Sequence, residues 1–349
     1  MITSRMCIFA GLTALSAAML SSPARAGFAQ AYAFTNFEGP NAVSTVVDGI
    51  NNNGAVVGQA TDAVGNTVNF VRNPDGTFTT LTALPTGATA FGINSSNQVV
   101  GMNNDGTAFL LTNNFTTLNT LPPANPGNTT SQTAFGINDK GAIVGQYVNT
   151  TTGTTPGFLD VNGKFTFLNP TNLSGSPSLV TNAQGVNNNG LGVGFFSTVL
   201  TPVINANPPQ HGFMFDSAGN ITLLPDPVKP NLFLSQFLGI NDQNQAAGYW
   251  QDNVGSQHGF LYDIATKSFA FFDDPSQEPF LLNGTPITVT QITGINNAGD
   301  ITGFYTDANG NNHGFFAVPV PEPRSLVLLG IGLTGFLCYS RRRRMTIAA

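Results

Sequence analysis

Few residues of this chain have side chains suited to chemistry, and the three histidines are the first candidates. His211, His258 and His313 each stand directly before a Gly-Phe pair. The shared His-Gly-Phe context indicates that the three histidines hold equivalent positions in an internal repeat, which is described below. Imidazoles at equivalent positions of neighbouring repeats can converge on a metal ion. The other three repeats have no histidine at this position, and the third of them has Pro156 there. Because that position tolerates such different residues, we expect the histidines to be structural, and we predict no metal site and no cofactor.

The single tryptophan is the second candidate. Trp250 lies beside Tyr249, and an indole ring can stack on a sugar ring. A lone tryptophan at the end of a strand more often packs against its own sheet. We therefore name Trp250 and Tyr249, together with the three histidines, as candidate ligand-binding residues and leave the packing alternative open.

Two acidic stretches have spacings that deserve comparison with known chemistry. The segment 307–311 (Asp-Ala-Asn-Gly-Asn) spaces oxygen ligands like the start of a calcium loop, but it lacks the closing acidic residue and also fits a hairpin turn. The pair Asp273-Asp274 can serve glycoside chemistry only if a partner faces it across a cleft. The sequence contains no Ser-His-Asp, paired-carboxylate or nucleotide-binding pattern. We predict no catalytic residues and favour a protein that is not an enzyme.

The elements that must position these residues come from an internal repeat. The phrase Gly-Ile-Asn, with Val for Ile in the fourth copy, is followed by a turn and a short apolar strand, and it occurs six times. The copies begin at Gly49, Gly92, Gly136, Gly185, Gly239 and Gly294. Neighbouring copies are 43, 44, 49, 54 and 55 residues apart. A period in this range with strand-like content indicates a repeat architecture.

Each period contains four strand patterns separated by turn residues. After Gly-Ile-Asn come an apolar strand ending in Gly, a Gly-Phe strand, an aromatic-Thr-x-Leu strand, and a fourth strand that leads into the next Gly-Ile-Asn. Four short strands per unit are typical of a β-propeller blade. The sequence therefore predicts an all-β fold, a six-bladed β-propeller.

The two ends of the repeat region complement each other. The third strand pattern is missing after the last copy, and an equivalent segment, 32–37, stands ahead of the first. Pairing 32–37 with the strand that contains Phe315 closes the ring by a Velcro-type exchange and removes open sheet edges. The same topology predicts that both termini leave on the face of the short turns. The long, variable loops then occupy the opposite face, where binding usually resides.

The segments outside the repeats have the character of sorting signals. Residues 1–26 combine Arg5, an apolar stretch over 7–20 and a small-x-small site at 24–26, which predicts a secretory signal peptide. Residues 321–344 contain Pro321-Glu322-Pro323, the apolar run 326–339 and a final cluster of four arginines. The arginines are Arg341, Arg342, Arg343 and Arg344. An apolar run ending in basic residues is typical of a transmembrane helix with a cytoplasmic end, so a permanent anchor is the simple alternative.

This C-terminal arrangement closely resembles the PEP-CTERM sorting signal of Gram-negative bacteria. The resemblance implies recognition by an exosortase-type processing enzyme, transient residence in the inner membrane through 326–339, and delivery to the cell surface or the extracellular matrix. The repeat phrase, with its Gly-Phe landmark, resembles the bacterial extracellular HAF repeats, a likeness that supports the fold and adds little chemistry. It spans nearly the whole predicted domain, residues 27–320.

The net charge and the sorting signals limit the classes of function that the protein can have. Between residues 27 and 320 there are 17 acidic and five basic residues, and this net charge of −12 repels phosphate backbones, so we predict no nucleic-acid partner. We expect an exported structural or adhesive protein of the cell surface or matrix. The alternative is a propeller that binds or degrades extracellular polysaccharide, and a periplasmic scaffold retained by an uncleaved tail is the third possibility.

Overall fold

The computed structural model describes residues 31–171, 175–199, 209–227 and 232–320, and no helix occurs among them. The strands in chain order are β1 (Tyr32–Phe37), β2 (Ser44–Ile50), β3 (Val56–Thr61), β4 (Thr67–Arg72), β5 (Phe78–Thr80), β6 (Thr89–Ile93), β7 (Val99–Met102), β8 (Ala108–Thr112), β9 (Thr117–Thr120), β10 (Thr129–Ile137), β11 (Ile143–Asn149), β12 (Gly157–Val161), β13 (Lys164–Leu168), β14 (Val180–Val186), β15 (Gly192–Ser197), β16 (His211–Phe215), β17 (Ile221–Leu223), β18 (Leu232–Ile240), β19 (Gln245–Asp252), β20 (Gln257–Asp263), β21 (Ser268–Phe272), β22 (Phe280–Leu282), β23 (Thr285–Ile287), β24 (Thr290–Ile295), β25 (Ile301–Thr306) and β26 (Asn312–Pro319).

The strands form six antiparallel four-stranded sheets, the blades of a β-propeller. From the axis outward, blade 1 is β2-β3-β4-β5, blade 2 is β6 to β9, blade 3 is β10 to β13, blade 4 is β14 to β17 and blade 5 is β18 to β21. Blade 6 is β24-β25-β26-β1. An additional hairpin, β22-β23, lies in the connection between blades 5 and 6. The predicted six-bladed fold is confirmed.

The predicted closure is also confirmed. Strand β1 pairs antiparallel with β26 from Tyr32 opposite Pro319 to Phe37 opposite Gly314, and Asn36 lies opposite Phe315. The Phe34 ring packs edge-on against the Phe315 ring with 5.2 Å between centroids. The first described strand therefore completes the last sheet as its outermost member.

The sequence repeat, counted from Gly-Ile-Asn, and the structural blade do not begin at the same strand. In the repeat, the strand that leads into the next Gly-Ile-Asn phrase is the fourth and last. In the structure this strand pairs with the strand after the turn, as β2 pairs with β3, so it is the first and innermost strand of the next blade. The reason is that the tight Asn-x-x-Gly turn can only join neighbouring antiparallel strands. The long Pro-rich connections are consequently the links between blades.

The core lies between adjacent sheets and is built on one repeated aromatic position. The phenylalanines of the four Gly-Phe landmark pairs, and their equivalents after Asn69 and Ala108, are all 0% exposed: Phe70, Phe109, Phe158, Phe213, Phe260 and Phe315. In five blades the ring lies under a glycine inside the second strand, where a Cβ would meet ring atoms at 2.6 to 3.2 Å. Each buried phenylalanine contributes about 2–3 kcal/mol through removal of its surface from water.

Candidate functional site

The axis of the ring is lined by residues that β-bulges turn inward. Every innermost strand has a register shift just before its Gly-Ile-Asn phrase, for example between Val47 and Gly49. A bulge leaves one residue unpaired and re-aims its side chain. The six bulged residues are Asp48, Phe91, Phe135, Gln184, Leu238 and Thr293. All six line the axial channel.

The glycines of the repeat phrase form the neck of this channel. A Cβ on Gly136 would lie 2.4 Å from the carbonyl oxygen of Gln184, and one on Gly92 would lie 2.6 Å from that of Phe135. Backbone atoms of adjacent innermost strands therefore touch directly, and only glycine fits between them. The channel at this level has a volume of about 80 Å³.

A closed ring of asparagines lies below the neck, at the face of the short turns. The side-chain amide of each Gly-Ile-Asn asparagine donates to the main-chain carbonyl of its counterpart in the next blade, over 2.9 to 3.4 Å. Each Oδ1 accepts the main-chain N–H groups two and four residues later, as Asn138 does from Lys140 and Ala142. The ring comprises Asn51, Asn94, Asn138, Asn187, Asn241 and Asn296. The sequence alone indicated only that these asparagines are turn residues. Their presence in all six repeats was the feature from which a shared structural role could have been predicted.

The residue after the asparagine of each phrase forms a second polar ring, and five of these six residues border a cavity of about 60 Å³ on the same face. Asp139 accepts hydrogen bonds from the side-chain amides of Asn52 and Asn188, and Asp242 accepts them from Asn188 and Asn297. Burial works against ionisation of Asp139, but these donors and the Ser95 N–H lower its pKa. The two carboxylates are thus occupied in holding blades together.

The opposite end of the channel opens into a wider cavity that we call the funnel. It has a volume of about 280 Å³. The described residues that line it are Val46, Asp48, Phe91, Phe135, Gln184, Phe195, Gln236, Leu238, Gln291, Thr293 and Phe304. The Phe91 and Phe135 rings meet edge to face at 5.2 Å. Apolar walls with a few polar groups are typical of small-molecule sites.

The glutamines of the funnel are held in place by neighbouring amides. Gln236 Nε2 donates to Gln210 Oε1 over 2.5 Å, and Gln291 Nε2 donates to Gln257 Oε1 over 2.6 Å. Both glutamines lie two residues before the bulge of their strand, closer to the mouth. The funnel therefore presents fixed amide groups at its rim, and the Phe91 and Phe135 rings lie deeper, at the level of the bulges.

Among the described residues that line the funnel and the neck, Asp48 is the only one with a titratable side chain. Burial raises its pKa to about 7, and a hydrogen bond with Gln59 works in the opposite direction. Its Oδ2 atom is shut off from bulk solvent and has no hydrogen-bond partner among the described residues. An unpartnered buried carboxylate oxygen is costly, so its persistence calls for a reason.

The three histidines occupy matching places away from the axis. Each begins or lies near the start of the third strand of its blade, and its Nδ1 faces an acidic side chain that follows the outermost strand of the same blade. The pairs are His211 with Asp226 at 3.3 Å, His258 with Asp273 at 2.9 Å, and His313 with Glu38. These side chains contact their own blade's acid rather than one another. Within the described chain no group of three metal-binding side chains is brought together.

The hydrogen bond with Asp273 raises the pKa of His258, while its burial opposes this effect. Burial lowers the pKa of His313, but Glu38 and Asp307 outweigh it and raise the pKa overall.

The candidate aromatic residues belong to blade 5. The Trp250 ring stacks on His258 with 4.7 Å between centroids, and its Nε1 has no described partner. Tyr249 is buried, which raises the pKa of its hydroxyl. The segment 307–311 forms a hairpin turn in which the Asp307 carboxylate accepts the N–H groups of Asn309 and Asn311. Blade 5 thus holds Trp250 and His258 together outside the funnel, and the Tyr249 side chain is buried.

The described chain ends lie together on the face of the short turns. The Val320 N–H donates to the Ala31 carbonyl over 3.0 Å. The Tyr32 hydroxyl donates to the carbonyl of Gly299, which belongs to the Asn-x-x-Gly turn of blade 6. The funnel and the long connections, including the β22-β23 hairpin, lie at the opposite ends of the strands. The predicted separation of termini and variable loops is therefore confirmed.

The comparisons with known proteins identify the C-terminal signal. Residues 319–344 match the PEP-CTERM protein-sorting motif. No curated protein shows significant sequence similarity to the chain. The predicted signal peptide (1–26), the apolar run 326–339 and the arginine cluster lie outside the described residues, and no helix within the described part is long and apolar enough to cross a membrane.

Solved structures with similar folds share little sequence with this chain. The six-bladed lectin of Aleuria aurantia, which recognises fucose, is 12% identical over 84% of this chain and 96% of its own, with a TM-score of 0.42. AofleA from Arthrobotrys oligospora is 10% identical over 83% and 91%, with a TM-score of 0.45. The β-propeller domain of the trilobed protease from Pyrococcus furiosus is 8% identical over 78% and 95%, with a TM-score of 0.39. The chain is thus a six-bladed propeller followed by a PEP-CTERM motif, which marks it as an exported protein processed at the membrane.

Proposed function

We propose that this protein is a non-enzymatic propeller of the cell surface or extracellular matrix, with a structural or adhesive role. The observation that carries the proposal is the separation of faces: the described chain ends meet at Val320 and Ala31, opposite the funnel and the long loops. Because Pro321-Glu322-Pro323 follows Val320 directly in sequence, attachment through the sorting motif leaves the variable-loop face free for contact with partners.

The maturation route follows from the motif. PEP-CTERM motifs are recognised by exosortase-type enzymes, and Pro321-Glu322-Pro323 is the segment that we assign to this recognition. In this proposal the signal peptide 1–26 starts export, the run 326–339 holds the chain briefly in the inner membrane, and the arginines at 341–344 fix the cytoplasmic end. The mature domain is then 27–320. Retention of an uncleaved tail, giving a periplasmic scaffold, is the outcome that processing experiments distinguish.

The funnel favours polysaccharide binding as the second candidate function. Its aromatic rings, fixed glutamine amides and one carboxylate are the groups with which proteins hold sugars. These groups support binding; cleavage by the usual glycosidase mechanisms employs two carboxylates across the scissile bond. Trp250 and the three histidines, which lie outside the funnel, remain candidates for additional contacts. The likeness to HAF repeats stays a resemblance and adds no ligand.

The processing part of the proposal is tested by measuring the mature mass and location of the protein. Wild-type protein is expected at the surface or in the matrix, with a mass that lacks the C-terminal tail. Replacement of Pro321, Glu322 and Pro323 by alanine is expected to leave the full tail in place and the protein in the membrane fraction. The matched control replaces Pro122 and Pro123, in a loop between blades 2 and 3, and is expected to be processed normally. A full-length tail on surface-exposed wild-type protein would contradict the proposal.

Ligand binding is tested with an array of extracellular glycans probed with the full-length chain. Retention of specific glycans, reduced by widening or filling the funnel through Phe135→Ala or Thr293→Trp, supports the second candidate. The control is Val64→Ala, on an 83% exposed loop residue far from the axis. Retention that is unaffected by both funnel variants would place binding elsewhere on the propeller.

A further inference from the structure

The funnel contains one acidic group that the propeller itself does not neutralise. Asp48 stands at the bulge of blade 1, between the mouth of the funnel and the glycine neck, and lines both spaces. The described lining of both spaces includes no lysine, arginine or histidine. The Asp48 Oδ2 atom is buried and has no described hydrogen-bond donor. A ligand with a hydrogen-bond donor would satisfy this oxygen.

The same position in the other blades shows that the carboxylate is not needed for the fold. The five other bulges carry Phe91, Phe135, Gln184, Leu238 and Thr293. Apolar and neutral side chains therefore satisfy the geometry of a bulge as well as an aspartate does. Only one of the six equivalent positions has a carboxylate, and burying it without a partner costs free energy. Ring packing does not explain this carboxylate, whereas a bound ligand does.

The surroundings of Asp48 select the kind of donor. Phe91, in the adjacent blade, and Phe135 provide aromatic surface, which attracts cations as well as apolar groups. A protonated amine would satisfy Oδ2, neutralise the carboxylate and lie against these rings. Gln184, Gln236 and Gln291 offer amide groups suited to the hydroxyls of the same molecule.

We propose that the funnel binds the terminal amino-sugar residue of a glycan, with the sugar's free ammonium group on the Asp48 carboxylate and its hydroxyls on the rim glutamines. This inference rests on the proposed polysaccharide-binding function and names its ligand class. A volume of about 280 Å³ with one open end suits a single terminal residue rather than a chain passing through, because the glycine neck blocks the other end.

The test is a calorimetric titration of the full-length chain with three probes: glucosamine, N-acetylglucosamine and glucose. Glucosamine is expected to bind roughly tenfold or more tightly than either neutral sugar, the usual strength of a charge-assisted hydrogen bond in a shielded site. Asp48→Asn keeps the size and shape of the side chain and is expected to abolish that preference. Asp75→Asn, which makes the same charge change in an exposed turn, is expected to leave all three affinities unchanged.

The dependence on pH adds a readout that a purely structural role of Asp48 would not produce. Between about pH 5 and pH 6.5 an amine stays protonated, while the ionised fraction of a carboxyl with a pKa of about 7 rises roughly 20-fold. The affinity for glucosamine is expected to rise by about the same factor in wild type and to stay flat in Asp48→Asn.

Three results would overturn the inference. Equal binding of glucosamine and N-acetylglucosamine would refute the role of the ammonium group while leaving polysaccharide binding intact. Glucosamine binding that survives Asp48→Asn would show that the amine lies elsewhere. Absence of binding by all three probes, with glycans still retained on the array, would also refute it and would separate its failure from that of the proposed function.

Discussion

Asp48 should make the stability of the propeller fall as the pH rises, and replacement by asparagine should remove this effect. Burial raises the folded-state pKa from 3.8 to about 7. Below about pH 4 the carboxyl is neutral in both the folded and the unfolded chain, so it costs nothing. Between about pH 4 and pH 7 the unfolded chain releases the proton and the folded chain retains it. The free energy of unfolding therefore decreases across this range.

The size of the effect follows from the shift. At 1.36 kcal/mol per pKa unit, a shift of about three units corresponds to about 4 kcal/mol at pH 8. Solvent in the funnel screens part of this cost, so we expect Asp48→Asn to stabilise the protein by about 2–4 kcal/mol at pH 8 and by less than about 0.5 kcal/mol at pH 4.

The assay is urea unfolding of wild type and variant at unit steps between pH 4 and pH 8, compared at each pH through the midpoint and slope. Asp75→Asn provides the control because hydrogen bonds from Thr77 lower the pKa of that exposed carboxyl. Its wild-type carboxylate stabilises the fold above the unfolded pKa and loses this contribution as the pH falls, so its variant should show the opposite sign. A difference between wild type and Asp48→Asn that is independent of pH, or that favours wild type at pH 8, would refute the reasoning.

Three further predictions concern the ring itself. Gly136→Ala should destabilise the protein by more than about 3 kcal/mol in urea unfolding, because its Cβ would lie 2.4 Å from a carbonyl oxygen of blade 4. The control Gly141→Ala should cost only about 1 kcal/mol, because that glycine has a positive φ but no atoms near its Cβ position. Asn138→Ala removes three described hydrogen bonds of the asparagine ring and should cost about 2–4 kcal/mol; a loss below about 1 kcal/mol would contradict an energetic role for that ring. Thr35→Pro, opposite Phe316 in the closing strand, should speed amide hydrogen exchange in β26, while Thr35→Ala should not, and equal protection in both would argue against closure by β1.

Several features of the fold were predictable because they depend on local sequence. The Asn-x-x-Gly turns need a residue at positive φ in their fourth position, and Gly54, Asn97 and Gly141 supply it. The Gly-Phe strands and their alternation specify short antiparallel strands. The six copies of these local patterns, and the third-strand pattern displaced to 32–37, were enough to predict six blades, their closure and the face on which the chain ends lie.

The site was less accessible to sequence reasoning, because its geometry is set by contacts between distant segments. The candidate residues His211, His258, His313 and Trp250 are conspicuous in the sequence, yet they lie outside the funnel, paired within their own blades. Asp48 was inconspicuous, because in the sequence it is only the residue before Gly49, the first of the six Gly-Ile-Asn glycines. Nothing in its neighbourhood along the chain indicates a bulge.

The sequence by itself determined the number of blades, the closing strand and the sorting motif, since each is encoded in a contiguous phrase whose chemistry acts locally. Only the tertiary structure decided that the repeat asparagines bond from blade to blade, over separations of 43 to 245 residues, and that six bulged side chains meet at one axis. The physical reason is that burial and hydrogen-bond satisfaction belong to the assembled ring. A single repeat cannot show that Asp48 faces Phe91 and Thr293 in a closed space, because that space exists only when the last sheet has joined the first.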